Sequence, residues 1–85
     1  MESLIGKRCV AARDINLATL KGIKIVGSVA PALLSKGTPG MIKRIDRSND
    51  VDVEIWYNPT NIPGQGYEFL LRFRLELLHS YFEVR

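Results

Sequence analysis

The chain has 85 residues, twelve basic and nine acidic, with a net charge of +3, which leaves room for one domain and indicates only a mild basic excess. A hydrophobic share of 46% and a charged share of 25% are those of an ordinary globular chain and exclude disorder as a reading of the whole. A single cysteine, Cys9, excludes an intrachain disulfide, and no apolar run approaches the roughly 18 residues of a membrane helix; a soluble, cytoplasmic protein with no signal peptide in Met1 to Arg8 is expected.

In chain order, the first predicted strand covers Lys7 to Arg13. Asp14 to Ser35 follows as a long excursion, with Ile23, Ile25 and Val26 and then Pro31. It reads as a loop with some strand character. Lys36-Gly37-Thr38-Pro39-Gly40 marks a tight turn, because proline fixes φ and glycine accepts positive φ. Met41 to Arg47 is the next strand. Ile42 and Ile45 lie three apart within it, so a bulge is predicted if both point inward. Ser48-Asn49-Asp50 has the chemistry of a short hairpin turn.

Val51, Val53, Ile55 and Tyr57 then alternate with Asp52, Glu54 and Trp56, a period of two that predicts a strand with one face on a core. Asn58 to Gly66 holds two prolines and two glycines, too many breakers for regular structure. From Tyr67, the alternate residues Phe69, Leu71, Phe73, Leu75 and Leu77 are all apolar. A helix would spread them around its cylinder, so Tyr67 to Phe73 is predicted as a strand. Leu75 to Ser80 forms a short helical turn before a last strand, Tyr81 to Val84. Several short strands with almost no helix predict an all-β, five-stranded barrel occupying residues 1–85 as one domain.

The element order resembles the SH3-like small β-barrel superfamily. The residues that carry the likeness are Gly6-Lys7-Arg8-Cys9, Lys36-Gly37-Thr38-Pro39-Gly40-Met41-Ile42, and Leu75-Glu76-Leu77. It implies a fold rather than a job. The glycine turn and the Leu-Glu-Leu segment also resemble the variable chain of ferredoxin-thioredoxin reductase, a small barrel that supports a larger catalytic partner. Trp56-Tyr57, Thr60-Asn61-Ile62, Pro63 and Gly66-Tyr67 resemble the hairpin of type II dihydrofolate reductases, SH3-like barrels of which four build one active-site pore. That family's pore-lining Val-Gln-Ile-Tyr stretch has no counterpart after Tyr67, so no catalytic residue carries over.

The residues themselves point the same way. Cys9, alone among alternating residues, reads as a small buried hydrophobe. His79 has no partner base or nucleophile in view, and one cysteine with one histidine does not make a set of four metal ligands. Asp52 and Glu54 fall on the outward face of a strand, where carboxylates are normally solvated. Trp56 falls on that face too. A large aromatic there is either a contact site or is covered by the 14–35 loop.

The expected protein is therefore a non-enzymatic binding module with no cofactor and no metal. It acts through protein–protein contact or self-association, with a homo-oligomer expected, through a surface built from Trp56, Tyr57, Asn61 and Tyr67. Nucleic-acid binding through the basic strand faces, with Lys43, Arg44, Arg72 and Arg74, is the alternative. A small oligomeric reductase of the type II dihydrofolate reductase kind comes third.

Overall fold

The computed structural model describes residues 3–27, 30–58 and 60–85. Met1 and Glu2 of the N-terminal stretch, Ser28 and Val29 of the excursion, and Pro59 of the second loop lie outside them. The chain is predominantly β. Its strands are β1 (Arg8–Ala11), β2 (Ile15–Asn16), β3 (Lys24–Val26), β4 (Leu33–Leu34), β5 (Pro39–Ile45), β6 (Asp50–Tyr57), β7 (Tyr67–Arg74) and β8 (Phe82–Val84). A 3₁₀ turn, Leu75–Leu77, and a four-residue helix α1, Leu78–Tyr81, join β7 to β8.

Six strands form one antiparallel sheet in the order β3-β7-β6-β5-β1-β8, and β2 pairs with β4 in a separate two-stranded ladder. Five strands were expected. The sixth is β3, drawn from the long excursion, where the β-branched Ile25 and Val26 suit a strand. It lies antiparallel to Leu70–Arg72 of β7, covering peptide groups that a bare edge would leave unpaired. Among the described residues no pairing joins β3 to β8, so the sheet is unclosed where a closed or nearly closed five-stranded barrel was expected.

The strand boundaries follow backbone pairing more than side-chain alternation. β1 is confined to the residues that meet β5 and β8. β5 begins at Pro39, inside the predicted turn, because Pro39 and Gly40 already face Val10 and Cys9. The predicted bulge is present: Ile42 faces Val53, but Arg44 faces Asp52, leaving Lys43 extra. That shift returns Ile45 to the core-facing side opposite Val51. The hairpin tip closes as its sequence requires. Asn49 adopts φ 62°, which asparagine tolerates better than most residues, and Asp46 Oδ1 accepts from the backbone N–H groups of Ser48 and Asp50 at 2.9 and 3.0 Å.

The core takes the inward residues of each strand. Val51, Val53 and Ile55 of β6 face Phe73, Leu71 and Phe69 of β7, all buried. Phe73 stacks on Phe82 with ring centroids 5.8 Å apart. The β2–β4 ladder adds Ile15 and Leu34, buried opposite one another, so the excursion contributes to the core at these residues and at Leu17. Cys9 is buried among these side chains, and burial pushes its thiol up to about 11. Gly40 has no room for a side chain. A Cβ there would sit 2.5 Å from the backbone oxygen of Glu54, so only glycine lets β5 approach β6 this closely.

Candidate functional site

The outer face of the sheet is built by the alternate residues of the same strands. Asp52, Glu54 and Trp56 of β6 lie opposite Arg72, Leu70 and Glu68 of β7. Asp52 is not the solvated charge expected there: it is 6% exposed. Arg72 Nε donates to Asp52 Oδ1 at 2.7 Å and Arg72 Nη2 to Oδ2 at 3.1 Å. This two-pronged contact compensates a carboxylate taken out of water, and the Asp52 hydrogen bond and charge raise the Arg72 pKa further. Glu54 is half-buried and also engaged. It accepts from Trp56 Nε1 at 2.7 Å and lies 4.0 Å from Lys43 Nζ.

These pairings bear on the proposed basic surface. Lys43, Arg72 and Arg74 each stand against a carboxylate, the last at 3.6 Å from Asp50 and donating to the Ser48 carbonyl at 2.6 Å. Arg44 faces Asp52 across the ladder. The four residues share one region, but acidic neighbours are interleaved with them.

Trp56 does point outward, and it is half-buried. The Arg8 guanidinium lies 6.0 Å from its ring centroid, within range of a cation–π contact. Among the described residues of the long excursion, Ser35 lines the space beside Trp56. Of the two readings left open, a contact site or a cover formed by residues 14–35, the described residues place Arg8 and the turn that leads into β5 beside Trp56.

Two adjoining clefts open here. One, of about 310 Å³, is lined by Pro39, Trp56, Tyr57, Asn58, Gly66, Tyr67 and Glu68. The second, of about 540 Å³, shares Pro39, Trp56, Tyr57 and Asn58 and adds Asn61 and the Ser35–Thr38 turn. Trp56, Tyr57, Asn61 and Tyr67, singled out from the sequence, therefore come together around one groove. Tyr57 is on the core-facing register of β6, yet is half-buried because the hairpin runs past the end of the core. Its ring meets Tyr67 edge-on, with centroids 5.5 Å apart.

The groove wall formed by the second loop is held by its own polar side chains. Asn58 Nδ2 donates to the Ile62 carbonyl at 3.1 Å, and Thr60 Oγ1 donates to Asn58 Oδ1 at 3.2 Å. Asn61 takes φ 56° between them. On the opposite wall, Thr38 Oγ1 donates to the Ser35 carbonyl at 2.7 Å, and the Lys36 N–H donates to Asp14 Oδ1 at 2.8 Å. Sequence reasoning missed Pro39, Glu68 and Arg8 as members of this site and had Asn58 only as the start of the second loop. Only the neighbouring of β1, β5, β6 and β7 brings them to Trp56, and no local pattern encodes that order.

His79 is exposed in the last turn of α1. Among the described residues no three histidine, cysteine or acidic side chains gather as a metal site, and no helix is long and apolar enough to cross a membrane. Comparison with protein-family models, with curated proteins and with solved structures finds no match for this chain.

Proposed function

We propose that this chain is a small, non-enzymatic binding module of the cytoplasm that works through protein–protein contact at the Trp56 groove. The observation that carries the reading is a half-buried tryptophan on an outward strand face, set with Tyr57, Tyr67 and Pro39 along two joined clefts. Aromatic side chains with a polar tip give large contact area at low entropic cost, and they dominate the energetics of protein interfaces. Both walls are pre-ordered by local hydrogen bonds, which lowers the cost of binding.

The framework we propose is an SH3-like barrel. Its five principal strands are β1, β5, β6, β7 and β8, and β2, β3 and β4 elaborate the first loop. In support, the chain runs through strand, long loop, tight turn, hairpin, second loop, strand, 3₁₀ turn and strand, and the last strand returns beside the first.

The test is selection of peptides from a displayed random library on the immobilised chain, with a counter-selection on Tyr67→Ala. Binders enriched on the parent and lost on the variant are expected, and they should quench or shift the fluorescence of Trp56. Enrichment that is indifferent to Tyr67, or none at all, refutes the site.

A further inference from the structure

We propose that the Trp56 groove is completed by the same groove of a second copy of this chain, the two related by a two-fold axis. This rests on the groove being the binding site. Its two halves are oppositely charged. Of the two clefts, Glu68 lines the one on the β7 side and Lys36 the one on the side of the turn into β5. Both side chains are exposed, and neither makes an ion pair among the described residues. Pro39, Trp56, Tyr57 and Asn58 lie between them as the shared wall.

A contact between identical surfaces must be self-complementary. An aromatic strip with a cation at one end and an anion at the other meets that condition. Turning a second copy by half a revolution about the shared wall sets Lys36 of each chain against Glu68 of the other. Each charged end then faces its opposite. A foreign peptide would have to bring the reverse charge order in its own sequence, whereas this chain already carries it.

The apolar surface nearby supports the same partner. Ile62 and Tyr67 are 54% and 37% exposed, and both belong to the loop and strand that frame the groove. A standard interface buries about 800 Å² per partner, about a seventh of this chain's 5652 Å². Ile62 extends the apolar surface beside the groove toward that area.

The experiment is sedimentation velocity from micromolar to millimolar chain, on the parent, Lys36→Glu, Glu68→Lys, the double variant and Tyr67→Ala. Lys36 and Glu68 are exposed, so their reversal leaves the fold intact, which circular dichroism checks. Each single reversal places like charges at both symmetry-related contacts and should weaken the dimer about tenfold, or about 1.4 kcal/mol. The double variant should recover the parent's affinity, because the swap restores both pairs. A chain that stays monomeric throughout overturns the dimer and leaves the groove to the peptide selection. A dimer lost in Tyr67→Ala but indifferent to the charge variants overturns the two-fold pairing and keeps the groove. A dimer indifferent to every variant overturns both.

Discussion

Replacing Gly40 with alanine adds one methyl group where the sheet has no room for it. The new Cβ would lie 2.5 Å from the Glu54 carbonyl oxygen, 3.1 Å from Ile55 Cδ1 and 3.4 Å from Val53 Cγ1. The last two contacts relax by small side-chain movements. The first does not, because the oxygen belongs to the backbone of a central strand paired on both sides. Overpacking typically costs about 1–3 kcal/mol, and a backbone clash belongs at the upper end. A chain of this length has about 4–13 kcal/mol of stability in all. A loss of about 3 kcal/mol lowers the melting temperature by roughly 12 °C or more at this size. Gly37→Ala, in the adjoining turn, is the control: it has φ +90° and no atom within 4 Å of the added carbon, so it pays only the left-handed backbone cost of about 1–2 kcal/mol. Urea unfolding followed by Trp56 fluorescence gives both values if the slopes agree. A Gly40→Ala protein as stable as Gly37→Ala would refute the close approach of β5 to β6.

Three further outcomes follow from the charges and the thiol. The Asp50 and Ser48 N–H groups hold the Asp46 carboxyl below its ordinary 3.8; the parent should exceed Asp46→Ala in stability above that value, and the difference should vanish as pH falls through the lowered folded value, as acid titration of urea midpoints will read. Burial raises Cys9 from 9.0 to about 11, so stability linked to it is full below pH 9.0 and is lost as pH rises toward 11. Alkylation of the native chain at pH 9 should accordingly wait for unfolding, and prompt labelling detected by mass spectrometry would contradict the burial. Oligonucleotides should bind only weakly at physiological salt, because Lys43, Arg72 and Arg74 already face carboxylates. Micromolar binding whose salt slope falls by about two units in Lys43→Gln, Arg44→Gln, roughly one per phosphate contact, would make nucleic acid the partner.

The local elements were legible in the residues themselves. Alternation over Val51–Tyr57 and from Tyr67 onward places β6 and β7, and the three-residue step from Ile42 to Ile45 places the bulge, because side-chain direction along a strand is set by backbone geometry alone. The turn at Asn49 and the helical turn before β8 follow from equally local preferences. The same alternation put Trp56 on the outward face.

Partners across the sheet are another matter, since pairing joins residues far apart in the chain. Nothing near Lys24–Val26 shows that it will lie on β7, and nothing near Ile15 or Leu34 shows that these two will meet, so the excursion read as loop. Asp52 looked like a solvated charge until β7 set Arg72 beside it, because a carboxylate's environment depends on its neighbour across the ladder. The groove has the same origin. The sequence alone determined that Trp56, Tyr57 and Tyr67 are aromatic residues at the ends of two strands facing a turn-rich loop. Only the tertiary structure decided that Pro39 and the Ser35–Thr38 turn stand against them, with Lys36 at one end and Glu68 at the other, because hydrophobic burial and backbone pairing act between segments that no local pattern connects.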